Sequence, residues 1–212
     1  MISALEALVR LKEGNRRFAC DSRSPSAITN QSKRDAVAER QQPIAIILGC
    51  SDARVPAEMV FDQGIGDLFV IRVAGNIVAP SQIGSVEYAA AQTGARLVVV
   101  LGHSNCGAVT ATLDELARDT EHRSPNLRSI VDRIRPAVEE LTTSEALDDR
   151  DALTRHAVRA NIHASVDHLR HGSAILERLL ETDGLEIVGA EYSLETGLVE
   201  FFDHVPGSDR PG

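Results

Sequence analysis

The chain has 212 residues, with 31 acidic against 22 basic side chains for a formal net charge of −9; hydrophobic residues make up 43%, aromatics only 3%, and tryptophan is absent. An acidic balance of this size argues against a nucleic-acid or anionic-membrane partner, because both need a basic footprint, and no apolar run approaches the roughly 20 residues that span a bilayer. The length suits one domain with a sizeable core, which has to be built mainly from Ala, Val, Leu and Ile.

In chain order, Glu6, Arg10, Lys12, Glu13, Arg16 and Arg17 interrupt any apolar stretch that could serve as a signal peptide, so a soluble, cytoplasmic chain is expected. Leu5, Leu8, Val9, Leu11 and Phe18 form a helical stripe over residues 2–18 that needs another subunit or the domain surface to cover it. Residues 21–32 read as a loop and 32–40 as a short polar helix, which leads through Gln41-Gln42-Pro43 into the first strand. Pro43-Ile44-Ala45-Ile46-Ile47-Leu48-Gly49 is continuously apolar, rich in β-branched residues and bounded by Pro and Gly, the pattern of a strand buried on both faces.

A helical turn over 55–61 and a Gly64-Ile65-Gly66 turn precede a strand at 68–73. Residues 80–93 read as a helix with Pro80 at its start and Gly94 at its end. A second buried strand, 97–101, follows, and from Gly107 a helix opens whose first amides face the crevice at the strand ends. Residues 126–141 and 151–180 carry helical spacing with a break around Gly172. After a strand at 185–192, Leu194-Glu195-Thr196-Gly197 turns the chain into an antiparallel strand at 198–202. The expected fold is α/β: one domain over 1–212, with a mostly parallel central sheet flanked by helices, an antiparallel C-terminal strand and an N-terminal helical extension over 1–40.

Ligands of open parallel sheets collect beyond the carboxyl ends of the strands. Two such ends carry Cys50-Ser51-Asp52-Ala53-Arg54 and His103-Ser104-Asn105-Cys106. Two thiolates and one imidazole suit tetrahedral zinc, and three protein ligands leave one position open, as a catalytic site requires. Cys20 lies in a polar stretch without partner spacing, so neither a fourth ligand nor a disulfide framework is expected. Asp52 could orient a water beside the metal while Arg54 keeps it ionised, or the two could form an ordinary structural ion pair. His163, His168 and His171 are spaced irregularly for one helix face and read as solvated histidines.

Cys50-x-Asp52-x-Arg54 followed by His103-x-x-Cys106-Gly107 resembles the β-class carbonic anhydrases. So do the segments 66–76, 85–89, 187–190 and 11–18, so that the resemblance spans nearly the whole chain. It implies zinc-dependent, reversible hydration of carbon dioxide to bicarbonate, with zinc on Cys50, His103 and Cys106, Asp52 orienting the nucleophile and Arg54 holding Asp52. It also implies a substrate pocket with Gln41, Phe69, Ala74, Tyr88 and Gly107, built across a subunit interface in a homodimer or homotetramer. Some members close when the dyad Asp moves onto the metal, a state that bicarbonate stabilises beside a Trp three residues before the first Cys ligand. Ile47 stands there, which implies an open site with Asp52 on Arg54.

Two other readings stay open at this point. One is a related zinc hydrolase of carbonyl sulfide or carbon disulfide. The other is a serine hydrolase using Ser104 in Gly102-His103-Ser104-Asn105-Cys106, which has Cys in place of the last Gly of a nucleophile elbow and leaves the Cys50 cassette without a role.

Overall fold

The computed structural model describes residues 2–24, 31–117, 124–142 and 149–202. Five strands form one sheet: β1 (Ala45–Cys50), β2 (Leu68–Val73), β3 (Leu97–His103), β4 (Glu186–Tyr192) and β5 (Val199–Phe202), in the order β2-β1-β3-β4-β5. All neighbours are parallel except β4 and β5, which pair antiparallel after the turn at Gly197. Every residue of β1 and β3 is buried, which accounts for their uninterrupted apolar sequence.

The pleat sorts those residues between two cores. Ile46, Leu48, Val98, Val100 and Ile187 face α4 (Pro80–Thr93), α5 (Gly107–Ala117), α6 (Pro125–Thr142), α7 (Arg150–His171) and α8 (Ala174–Thr182). Ala45, Ile47, Leu97, Val99 and Val188 face α1 (Ala4–Ala19) and the short α3 (Ala57–Val60) on the other side. Each large aliphatic side chain buried this way contributes about 1.5 to 3 kcal/mol.

Most element ends follow local chemistry. Ser3 caps α1 by accepting the Glu6 amide at 3.1 Å. Pro80 opens α4, and Gly94 closes it in the left-handed region at φ 76°. Gly172 separates α7 from α8, which Ser173 caps. Several boundaries differ from the sequence reading by a residue or more, β3 among them, which runs on from Leu101 to His103. Helix α2 spans Gln31–Val37 and ends early where Val37 packs against Gly66. Strand β1 starts at Ala45 because Pro43 has no amide to donate, and the Ile44 amide is used by the Asp67 carbonyl just before β2.

Helix α1 covers a face of its own sheet, burying Ala4, Ala7, Leu8 and Leu11 while Val9 points outward. Its buried Asn15 donates to the Val60 carbonyl at 3.1 Å and the Gly197 carbonyl at 2.8 Å, and accepts the Val199 amide at 2.8 Å. One side chain thus joins the N-terminal helix, the end of α3 and the β4–β5 turn. On the opposite face α7 comes so close to β3 that a Cβ on Gly102 would lie 2.4 Å from Ile162 Cδ1. Replacing Asn15 with Leu keeps the volume but strands those three backbone groups, and should lower the unfolding free energy in urea by about 1 to 3 kcal/mol without changing the m-value.

Candidate metal centre

Strands β1 and β3 are adjacent and in register, Gly49 beside Leu101, so their last residues Cys50 and His103 emerge together. Beyond His103 the Ser104 amide bonds to the Tyr192 carbonyl. Asn105 then takes a left-handed conformation at φ 56°, which Asn tolerates better than most residues. That reversal returns Cys106 to the strand ends and starts α5. The Sγ atoms of Cys50 and Cys106 and a ring nitrogen of His103 all lie within 4.8 Å of one another, and all three residues are buried. Among the described residues no other group of three or more such donors is assembled. Cys20 is exposed at the end of α1.

The polar detail fits a soft divalent cation. His103 Nδ1 lies 2.9 Å from the Ser104 carbonyl, which can only accept, so Nδ1 carries the proton. Nε2 is left buried without a hydrogen-bond partner, the tautomer and orientation that a metal-binding histidine adopts. The Cys106 side chain beside it lowers the Cys50 thiol, as do His103 and the amides of Asp52 and Gly75, against the upward push of burial. Beside Cys50 and under burial the Cys106 thiol moves up, although the Ala108 and Val109 amides at the start of α5 pull the other way. For His103, burial opposes a charge while Cys50 and Asp52 favour one, and the net direction is upward.

Asp52 sits at the mouth of the cluster. Arg54 grips it through Nε to Oδ1 at 2.9 Å and Nη2 to Oδ2 at 2.8 Å, and the Arg54 amide adds a third bond to Oδ1 at 3.0 Å. These hydrogen bonds hold the carboxyl well below the usual carboxylate range. Oδ2 is also 3.9 Å from His103 Nε2, so the carboxylate borders the cluster while remaining paired with Arg54. Arg72 supports the loop from β2, donating to the Cys50 carbonyl at 3.0 Å and the Asp52 carbonyl at 2.6 Å.

The other expected site residues divide. Gly107, the first residue of α5, follows Cys106 directly, and Ala74 precedes the Gly75 amide that donates to Cys50 Sγ at 3.4 Å. Phe69 and Tyr88 form a ring pair 6.2 Å apart beside edge strand β2, with Tyr88 55% exposed. Gln41 is exposed at the N-terminal end of β1, away from the end that bears Cys50. Ser104 accepts the Leu194 amide at 3.0 Å, and His103 turns Nδ1 to the Ser104 carbonyl, so among the described residues no base is hydrogen-bonded to the hydroxyl that the nucleophile-elbow reading needs. His163 lies tilted against the Phe202 ring, with centroids 4.8 Å apart, and His171 pairs with Asp167, both histidines being exposed.

Sequence reasoning passed over Asn161 and Ser165. They are buried on α7 and donate to the Gly75 and Asn76 carbonyls at 2.8 and 3.1 Å. Their signal was two polar residues at i and i+4 inside the apolar stripe of Ala157, Val158, Ile162, Val166 and Leu169. A groove of about 1140 Å³ runs between α1, the start of α7 and β5; it takes in Ser104 and Asn105, between His103 and Cys106, but none of the three donors, and mixes charges of both signs.

A family model described as carbonic anhydrase matches residues 45–199. Over 197 residues the chain is 37% identical to carbonic anhydrase 2 of Mycobacterium tuberculosis, covering 92% of this chain and 91% of that one. Among solved structures it is similar to the Coccomyxa β-carbonic anhydrase in complex with acetazolamide, with a TM-score of 0.70, 26% identity and coverage of 92% and 85%. It is also similar to a tetrameric β-carbonic anhydrase from Sordaria macrospora, with a TM-score of 0.68, 25% identity and coverage of 81% and 87%.

Because the folded Asp52 carboxyl lies below its unfolded value, the Arg54 pair stabilises the protein above the ordinary carboxylate pKa of about 3.9 and loses that effect as pH falls through the folded value. A carboxyl-carbon NMR titration of the metal-free chain should find Asp52 ionised below the range where exposed aspartates protonate. In Arg54→Ala its midpoint should rise toward theirs; an unchanged midpoint would show that Arg54 does not set it.

Proposed function

This chain belongs to the β-carbonic anhydrase family, whose reaction is the reversible hydration of carbon dioxide, and we propose that it performs that reaction with one zinc held by Cys50, His103 and Cys106. The observation that carries this reading is the buried cluster of three soft donors with a doubly hydrogen-bonded carboxylate at its mouth. Zinc held there supplies Lewis acidity, the means of making water nucleophilic near neutral pH.

The chain's own groups then divide the remaining work. Asp52 cannot keep a proton at neutral pH, because Arg54 holds its carboxyl far below that range, so Oδ2 serves as a fixed acceptor that orients the attacking water. Arg72 keeps that acceptor at a set height by holding the carbonyls on either side of Ser51. The first amides of α5, beginning at Gly107, lend positive potential where a bicarbonate forms. Ala74 and Phe69 offer apolar surface to carbon dioxide, which has no net dipole. The released proton passes to buffer, and the balance is carbon dioxide plus water to bicarbonate plus a proton.

The pocket is completed by a second copy of the chain. Gln41 is remote from its own Cys50, and the Phe69–Tyr88 pair stands uncovered on edge strand β2, where a partner would cover it. In that assembly Gln41 and Tyr88 line the substrate pocket and Gln41 hydrogen-bonds bicarbonate. Both ligand thiols must stay reduced, which suits a cytoplasmic compartment; among the described residues no helix is long and apolar enough to cross a membrane.

The purified chain should carry about one zinc and hydrate carbon dioxide in a stopped-flow assay, and Cys106→Ala should lose both metal and activity, since two remaining donors hold zinc poorly. Full zinc occupancy in that variant would remove Cys106 from the ligand set, and a zinc-loaded chain that turned over only carbonyl sulfide or carbon disulfide would reassign the substrate. Sedimentation under assay conditions should find a dimer or tetramer. A fully active monomer would overturn the shared pocket.

A further inference from the structure

We propose that Asn161 and Ser165 of α7 are positioning residues for the Cys50 ligand: by clamping the left-handed turn Ala74–Asn76 they keep the Gly75 amide on the Cys50 sulfur. The inference rests on the zinc-site reading above and assigns this site two residues that touch neither the metal donors nor Asp52.

The turn follows β2 and has an unusual backbone, with Gly75 at φ 70°, ψ 21° and Asn76 at φ 43°. Gly and Asn enter this region more readily than other residues, but the buried carbonyls of such a turn still need partners. This conformation aims the Gly75 N–H at Cys50 Sγ, 3.4 Å away. A side chain at Gly75 would be strained by its positive φ, and its Cβ would crowd Ile134 Cδ1 at 2.9 Å and the Ala108 Cβ at 3.0 Å. The carbonyls of Gly75 and Asn76 are taken up by α7: Asn161 Nδ2 donates to the Gly75 carbonyl at 2.8 Å and Ser165 Oγ to the Asn76 carbonyl at 3.1 Å.

Asn161 and Ser165 are four residues apart and therefore share a helix face, and they are only 2% and 5% exposed. Buried among apolar neighbours, they would be costly without partners, and these carbonyls are the partners the structure gives them. The height of α7 above the sheet is fixed independently, by Ile162 resting on Gly102, the residue before His103. One helix therefore reads the position of both ligand-bearing strand ends. It contacts β3 directly at Gly102, and it reaches Cys50 at the end of β1 through the Gly75 amide.

The test uses the full-length chain loaded with zinc, and separately with cobalt(II). Asn161→Leu keeps the side-chain volume and removes the donor; Ser165→Ala removes only the hydroxyl. Val166→Ala on the same helix removes core packing without touching the turn. Outer-shell partners of metal ligands are typically worth 10- to 100-fold in metal affinity, so Asn161→Leu should release zinc to a chelator about 10-fold faster than the unaltered chain. Ser165→Ala should move the same way by a smaller factor. Both should displace the thiolate-to-cobalt charge-transfer absorption, which reports on the sulfur itself.

Val166→Ala should melt at a lower temperature yet release zinc at the original rate with an unchanged cobalt spectrum. If Asn161→Leu fails to fold, Ser165→Ala against Val166→Ala decides alone. Unchanged release and spectra in the folded donor-less variants would overturn the positioning role, as would equal acceleration in Val166→Ala at equal loss of stability. A chain that takes up no zinc at all would instead overturn the metal-site reading on which this inference stands.

Discussion

Two sulfurs and an imidazole nitrogen brought within 4.8 Å under almost complete burial concentrate lone pairs where water cannot solvate them. Such a cluster is stable only if a positive charge is shared among its members, whether a proton or a metal ion. The surroundings are arranged for that sharing. The Ser104 carbonyl fixes which histidine nitrogen is free, and backbone amides from the Asp52 loop, the Gly75 turn and the start of α5 converge on the two sulfurs. The rest of the site can be read as scaffolding for this concentration of donors, since each supporting group fixes either an orientation or a charge.

The parallel sheet is what makes the convergence possible. Adjacent parallel strands end side by side, so residues far apart in sequence leave the sheet at the same point. Antiparallel neighbours would have carried Cys50 and His103 to opposite ends. The cost is a sheet that must be covered on both faces, met here by five helices on one side and by α1 with α3 on the other. Asn15 and the Ile162–Gly102 contact hold those two layers at close approaches, and the second of these lies next to His103 of the donor cluster.

Asp52 and Arg54 behave differently from the buried donors. Their pair is largely solvent-exposed, with 58% of the Arg54 side chain accessible, so it adds little to stability but strongly constrains direction. A bidentate guanidinium holds both carboxylate oxygens in one plane, and Arg72 fixes the backbone beneath. That combination suits a group whose task is to orient a water molecule. It also explains why Asp52 remains on Arg54 although its Oδ2 is within 3.9 Å of the histidine nitrogen.

Much of this was written in the sequence because burial leaves a local signature. Continuous apolar runs bounded by Pro and Gly gave β1 and β3, Pro80 and Gly94 bounded α4, and the donors stood where those strands stop. Tertiary structure alone decided the strand order β2-β1-β3-β4-β5, the grip of Arg72 on the Asp52 loop and the remoteness of Gln41 from its own Cys50. It also decided that Asn161 and Ser165 meet a turn 86 and 89 positions away. Periodicity records which face of an element is buried, but not which distant backbone carbonyl lies opposite that face once the elements have packed.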